Sequence, residues 1–438
     1  AAAFYAKIGV NYGTLGNNLP KPMKSVELIK TLKAKQVKLY SPVDPEILKA
    51  LNGTNLQVSI MVPNEIFSDI SVNQTMANEW VRNNLVAYYP HTLIRYLLIG
   101  NELLSLTDVA NKKVWHDLVP AIRKFQFALK SFGLLEVKVD TPMLMDVLES
   151  SSDIDVPVIK PLLKFLNKTK SFFFVDCYPY FAWSQSYKTV SLDYALFKGG
   201  AEYTDPVSGL TYTNLLDQLL DTLHFAMKKL GCPDIRIWIS ETGWTNGGDI
   251  DQIGANVYNA ATYNRNLVKK LNAKPAVGTP AMPGVVLPTW IFSLYNENQK
   301  VGQGTERHWG LLYPNGSNIY PIDLTGQTSE SDYPPLPALD NNEPYKANMT
   351  LLSDAITYAC GQGDGTCAAI QPGGKCYKPN LLTLHASYAF SAYWAQFRSQ
   401  GATCFFNGLV VQTSMNLSNH GSCNFPSVTL SEGLYLAS

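Results

Sequence analysis

Eight short runs of apolar, β-branched or aromatic residues recur along the first three quarters of the chain. They are Lys7–Tyr12, Gln36–Tyr40, Leu56–Val62, Ile94–Ile99, Glu136–Val139, Phe172–Cys177, Ile235–Ser240 and Thr289–Tyr295. Several are almost unbroken apolar stretches, the pattern of strands covered on both faces of a parallel sheet. The segments between them have helical spacing instead. Val26, Ile29 and Leu32 share one face before the second run, and Trp80, Leu85 and Val86 do so before the fourth. Leu118, Ile122, Phe125 and Leu129 precede the fifth, and Leu215, Leu216, Leu219, Leu220 and Leu223 precede the seventh. Eight strands alternating with helices predict an α/β chain, a (β/α)8 TIM barrel. A doubly wound open sheet is the alternative. It lacks its phosphate loop, because Gly9, Gly13 and Gly16 read G-x-x-x-G-x-x-G rather than G-x-G-x-x-G.

The barrel pattern ends near Thr325, so residues 1–325 are read as one domain. Residues 326–341, polar and carrying Tyr333-Pro334-Pro335-Leu336-Pro337, read as a linker. Residues 342–438 read as a second module with helices expected at Leu351–Cys360 and Thr383–Gln400. Of seven cysteines, Cys360, Cys367, Cys376, Cys404 and Cys423 lie in this last part, against Cys177 and Cys232 before it. Such crowding points to a small disulfide-stapled module. A zinc site is the competing reading, but no C-x-x-C pair is present. Six N-x-S/T sequons, at Asn52, Asn73, Asn167, Asn315, Asn348 and Asn416, agree with an extracellular protein. Ala1 to Lys7 lacks the layout of a signal peptide, so a secreted precursor would already have lost its own. With 35 basic and 35 acidic residues the net charge is zero, which argues against nucleic acid as a partner. No apolar stretch is long enough for a transmembrane segment.

Chemistry in such a barrel sits where strands end at the C-terminal face. The fourth run ends Leu98-Ile99-Gly100-Asn101-Glu102 and the seventh ends Trp238-Ile239-Ser240-Glu241-Thr242-Gly243-Trp244. A carboxyl placed after an apolar strand is partly desolvated, which raises its pKa. Two such groups facing one cleft can divide the work, one protonated and one ionised. Converging across the barrel mouth at about 5–5.5 Å, they would suit glycoside hydrolysis with retention. Alternatively each glutamate caps a helix or pairs with an arginine.

The chain resembles the plant β-1,3-glucanases of glycoside hydrolase family 17. The likeness rests on Ile8-Gly9-Val10-Asn11-Tyr12-Gly13, Gly100-Asn101-Glu102, Ser240-Glu241-Thr242-Gly243-Trp244 and Asn259-Ala260-Ala261-Thr262-Tyr263-Asn264. Phe292 through Lys300 and Thr305-Glu306-Arg307-His308-Trp309-Gly310-Leu311 continue it, over about residues 7–325. The resemblance implies a retaining mechanism with Glu102 as general acid/base and Glu241 as nucleophile. It also implies roles for Glu297, Lys300 and Glu306, where Lys300 between two carboxylates would keep them ionised and orient hydrogen bonds near the nucleophile. Aromatics at or beyond strand ends (Tyr12, Tyr40, Tyr178, Tyr180, Phe181, Trp183 and Trp244) with amides such as Asn11 and Asn101 fit a sugar cleft. Tyr40, Asn101, Tyr178, Phe181 and Trp244 are the candidate substrate contacts. The chain departs from the family's pattern at Ser41, often Asp there, at Asp176, often Asn, and at Thr245-Asn246 after the nucleophile motif.

Residues from about Asn342 to Leu430 resemble the family 43 carbohydrate-binding module. The residues that carry this are Tyr358-Ala359-Cys360, Ile370-Gln371-Pro372-Gly373-Gly374-Lys375-Cys376-Tyr377 and His385-Ala386-Ser387-Tyr388-Ala389-Phe390. The family's opening Trp-Cys pair is replaced by Pro344-Tyr345. The resemblance implies pairing of Cys360 with Cys367 and of Cys376 with Cys423, leaving Cys404 without its partner. Tyr377, Tyr388 and Tyr393 are its candidate glucan contacts. The function expected is an endo-acting hydrolase of β-1,3-glucan, secreted and acting at the cell wall, with a monomer and no cofactor or metal expected. A transglycosylase using the same glutamates and a non-catalytic wall-glucan binder are the alternatives. Relatives can carry a C-terminal lipid anchor, but Glu432 to Ser438 shows no hydrophobic tail.

Overall fold

The computed structural model describes residues 8–41, 43–105, 114–148, 156–249 and 252–336. Further on it describes 349–378, 380, 382–400, 402, 406, 410, 423–426, 428–429 and 435–436. The chain divides into two compact units after Pro337.

The first unit is built on a parallel sheet. Its strands are β1 (Ile8–Tyr12), β2 (Gln36–Leu39), β3 (Gln57–Val62), β4 (Ile94–Ile99), β5 (Lys138–Asp140), β6 (Pro142–Leu144) and β7 (Phe172–Asp176). After a short antiparallel hairpin, β8 (Tyr203–Thr204) with β9 (Thr211–Tyr212), come β10 (Arg236–Thr242) and β11 (Thr289–Ile291). The sheet order is β5-β4-β3-β2-β1-β11-β10-β7-β6. The two ends of that order, β5 and β6, are consecutive in the chain. The fifth expected strand is therefore one run broken at Thr141: its first half pairs with β4 and its second with β7. The break has a local cause. The buried Asp140 carboxylate accepts the Thr141 backbone N–H at 2.9 Å and the Ser171 hydroxyl at 2.6 Å, and Pro142 has no N–H to offer. The sheet so joined is the barrel that the alternation of runs predicts.

The helices start where their sequences allow it. Pro22 and Pro45 stand at the first position of Pro22–Thr31 and Pro45–Ala50, where a missing N–H costs nothing. Asn73, Asn214 and Asn256 cap Gln74–Val81, Leu215–Lys229 and Val257–Leu271 by accepting backbone N–H groups. Their apolar faces bury the outward residues of the strands. Inside the barrel lies a separate core of Met61, Leu98, Phe172, Phe174, Trp238 and Trp290. Phe174 stacks on Trp238 at 5.2 Å and on Trp290 at 5.5 Å between ring centres. This aromatic floor closes the lower barrel and leaves the next inward positions to polar side chains.

The expected linker opens inside the first unit. Arg265 pairs with Glu330 at 2.8 Å and lies over the Tyr333 ring at 3.9 Å, so residues 326–336 pack back on the barrel. In the second unit, helices Met349–Gly361 and Leu382–Phe397 pack around Leu352, Ala359, Ile370, Ala389, Phe390 and Phe425. Disulfides join Cys360 to Cys367 and Cys376 to Cys423, the pairing that the resemblance implies. Cys404, Pro344 and Tyr345 lie outside the described residues. Cys177 and Cys232 are buried free thiols. Asn52, Asn73 and Asn315 are exposed, as glycosylation would require; Asn348 and Asn416 lie outside the described residues. Among the described residues no helix is long and apolar enough to cross a membrane.

The inner floor has a measurable weight. Phe174→Ala is expected to cost about 3–5 kcal/mol in thermal unfolding, whereas Phe127→Ala, at an exposed helix position, should stay within about 0.5 kcal/mol. Equal effects of the two substitutions would contradict a packed barrel interior.

Candidate active site

Alternation along each strand decides what stands above the floor. On β7, Phe172 and Phe174 point inward, and Asp176 is the next inward residue. On β2, Lys38 points inward, fully buried. On β10, Ile239 pairs with Val175 and Glu241 with Asp176, so Ser240 is an extra residue in the strand. That bulge lets Ser240 reach Asp176 and still turns Glu241 to the cleft. Glu102 arrives differently. Gly100 takes φ +66°, where a Cβ would meet Leu103 at 2.4 Å. Glu102 itself takes φ +51°, a conformation that side chains normally avoid. Its backbone N–H donates to Pro142 O at 3.1 Å, and Asn101 N–H donates to Asn64 Oδ1 at 2.7 Å. The break in the fifth strand thus helps to hold the strained turn that presents Glu102.

One carboxylate oxygen of each of Glu102, Asp176 and Glu241 lies within 4.8 Å of the others. Lys38 Nζ stands 2.7 Å from Glu241 Oε1 and 3.8 Å from Asp176 Oδ1. Tyr178 donates to Glu241 Oε2 at 2.6 Å, and Tyr40 donates to Oε1. Burial alone would push the Glu241 carboxyl up. The Lys38 charge and hydrogen bond, with those of Tyr178 and Tyr40, outweigh it and hold Glu241 below the ordinary glutamate value. Glu102 goes the other way: burial first, then repulsion from Asp176 and Glu241, raises it well above that value. Two glutamates of one cleft are thereby set in opposite protonation states, the arrangement that divides acid from nucleophile. The three carboxylates are the group among the described residues clustered closely enough to hold a cation, and the Lys38 ammonium already supplies positive charge there.

The cleft has a volume of about 530 Å³. Of the residues singled out from sequence, Tyr40, Asn101, Glu102, Tyr178, Phe181, Glu241, Glu297, Lys300 and Glu306 all line it. Trp244 does not. It is fully buried, donates to Gly254 O at 2.8 Å, and packs against Tyr180, Trp183 and Tyr263. Its place after the nucleophile strand is a turn into the layer between sheet and helices, so the substrate-contact expectation for it is corrected. Tyr12, Tyr180 and Trp183 are buried likewise. Phe292 and Trp309 supply the aromatic wall beside Tyr178 and Phe181, with Trp309 5.0 Å from Tyr178 and 5.6 Å from Phe181.

The expectation for Lys300 also changes. Its Nζ lies 4.0 Å from Glu306 and 4.1 Å over the Phe292 ring. Burial outweighs its charge at both neighbours, so the Glu297 and Glu306 carboxyls are raised, not held down. Glu297 instead accepts the Leu15 N–H at 2.7 Å, tying the loop after β1 to the cleft, and Gly13 is needed because a Cβ would meet that carboxylate at 2.4 Å. The cation at Glu241 is Lys38, which the sequence reading missed. Its signal was there: a lysine between apolar residues of a barrel strand, on the same face as Gln36 and Tyr40, must find a buried partner.

Comparison with known proteins agrees with this geometry. Residues 8–324 match the family described as "Glycosyl hydrolases family 17", and residues 344–411 match the "X8 domain". A protein of Arabidopsis thaliana named "Probable glucan endo-1,3-beta-glucosidase A6" is 53% identical over 97% of this chain and 92% of its own length. "Glucan endo-1,3-beta-D-glucosidase" of Olea europaea is 35% identical over 96% and 93%. Among solved structures, CJP38, a beta-1,3-glucanase and allergen of Cryptomeria japonica pollen, is 36% identical. It superposes with a TM-score of 0.67, covering 73% of this chain and 99% of its own. The match spans the whole barrel and includes every strand end that builds the cleft: the chain belongs to family 17 of the glycosyl hydrolases, with an X8 domain following the barrel.

Proposed function

We propose that the chain is a retaining endo-β-1,3-glucanase, extracellular, with callose-like wall glucan as its substrate. The observation that carries this is the pairing of Glu102 and Glu241 in one cleft with opposite protonation tendencies, their carboxylate oxygens within 4.8 Å. That spacing leaves no room for a water between nucleophile and sugar, so it favours direct attack over inversion. The names of the relatives supply the linkage and the endo mode.

In the first half-reaction the protonated Glu102 gives its proton to the glycosidic oxygen as that bond breaks, and Glu241 attacks the anomeric carbon to form an ester. Tyr40, Tyr178 and Lys38 aim the carboxylate and keep it ionised until then. In the second half-reaction Glu102, now ionised, takes a proton from water. The water's oxygen displaces Glu241 and restores both groups. Aromatic rings of Tyr178, Phe181 and Trp309 offer flat apolar surface to the C–H faces of the sugar, and Asn101 and Glu297 offer polar partners. The X8 domain would hold the enzyme on the polymer. Tyr377, stacked on His385 at 5.7 Å, and Tyr388 are both half-buried and are the better placed for a glucan, since Tyr393 is buried.

Reducing-sugar release from laminarin, compared with other β-glucans, tests the reading. Glu241→Gln should abolish turnover, and Glu102→Gln should lower it by roughly 10²–10⁴-fold while sparing the initial burst of aryl release from an aryl β-laminaribioside, whose leaving group needs no proton. Wild type releasing no more than Glu241→Gln on any β-glucan would leave a binding protein only. Products longer than the oligosaccharide supplied would make transfer, not hydrolysis, the reaction. Lys38→Met removes the charge that holds Glu241 down, so the acid limb of kcat/KM against pH should move to higher pH; an unmoved limb would remove Lys38 from the nucleophile's environment. Phe181→Ala should raise KM on laminari-oligosaccharides with a smaller effect on kcat, and a change in kcat alone would take Phe181 out of substrate binding.

A further inference from the structure

Asp176 is not needed by the two-glutamate scheme, yet it stands between its members. It is fully buried at the end of β7. Its Oδ1 accepts the Ser240 hydroxyl and faces Lys38 at 3.8 Å. Its Oδ2 is buried with no hydrogen-bond partner among the described residues. An asparagine, frequent here in the resemblance noted above, could accept from Ser240 equally well. What the aspartate adds is a third negative charge beside one ammonium. The groups facing it are Lys38 and Tyr40 from β2 and its end, Glu102 beyond β4, and Ser240 and Glu241 from β10, with Cys177 and Tyr178 following it in the chain. Pro142, Met143 and Leu144 of the neighbouring β6 bring no charge.

We propose that Asp176 is a positioning residue that shares one proton with Glu102 and takes over Lys38 when the nucleophile becomes esterified. The assignment rests on the retaining reading and deepens it. In the resting site Glu241 is ionised against Lys38, and one proton serves Glu102 and Asp176, whose carboxylates are near enough to share it directly or through one water. When that proton leaves with the glycosidic oxygen, Glu241 loses its charge to the ester. Lys38 would then be a buried cation without a partner, but Asp176, now ionised, remains beside it. The net charge of the cluster is the same before and after the step, so the barrel interior is not asked to bury a new charge. The negative Asp176 also strengthens Glu102 as the base that must deprotonate water. Burial and repulsion raise both the Asp176 and Glu102 carboxyls, in agreement with the shared proton.

The test is Asp176→Asn, read as kcat/KM on a laminari-oligosaccharide from about pH 4 to 9. Glu102 must be protonated for the first step. Without the Asp176 charge it ionises earlier, so the basic limb should move down by about one pH unit, with a roughly tenfold loss above that limb and little change on the acid side. A purely structural role would lower activity evenly across pH. If wild type is active and the limbs of the two proteins superpose, the assignment is overturned. If wild type has no activity on β-1,3-glucan, the functional reading fails instead, and unfolding temperature against pH decides the proton sharing alone. Carboxyls raised in the fold bind protons more tightly than in the unfolded chain, so wild type loses stability as pH rises from their ordinary values toward the raised ones. Asp176→Asn should flatten that loss, and adding Asp176→Asn to Glu102→Gln should flatten it less than adding it to wild type. Parallel curves for wild type and Asp176→Asn would end the proposal.

Discussion

A single buried ammonium faces two carboxylates at 2.7 and 3.8 Å, with a third carboxylate close by, and the chemistry of the cleft depends on that imbalance. Removing an ion from water costs several kcal/mol even after relaxation, so three carboxylates cannot all stay charged around one lysine. Lys38 contacts Glu241 most closely and is helped by two tyrosine hydroxyls, so Glu241 keeps its charge. Glu102 and Asp176 are left to hold a proton. The division of labour thus follows from distances to one side chain and not from any difference between the glutamates themselves.

That cluster stands on a barrel floor filled mainly by large aromatic side chains. Phe172, Phe174, Trp238 and Trp290 fill most of the lower interior, and the charged residues begin one inward position higher. A closed barrel has no free sheet edge, and the carboxylates of Glu102 and Glu241 open to the cleft at its mouth. The strained turn at Glu102 is held by a backbone bond to Pro142, and Pro142 is free to accept because the fifth strand breaks at Thr141. Fold and site meet at that break: Pro142, the first residue after it, also holds the turn that presents Glu102.

Much of this was legible in the residue order. Short apolar, β-branched or aromatic runs separated by helical spacing located all eight barrel strands to within a few residues, and the strand-end rule singled out Glu102 and Glu241 before any geometry. Tyr40, Tyr178 and Phe181 were found by the same rule. Trp244 was misplaced by it, because being past a strand end does not say whether a side chain turns to the mouth or back under the helices. Of the segment read as a linker, 326–341, the described part up to 336 packs on the barrel, because Arg265, distant in sequence, provides the partner for Glu330 and Tyr333.

The amino-acid sequence by itself determined the barrel and the second cysteine-rich module, and it singled out the two glutamates as candidates, since these rest on the local residue pattern and on where strands end. The tertiary structure alone decided which lysine pairs with Glu241. Lys300 has the better motif, but Lys38 has the shorter distance, and Coulomb energy follows distance. It also decided the protonation of each carboxyl, because desolvation and charge neighbours arise only when strands far apart in the chain are closed into one ring.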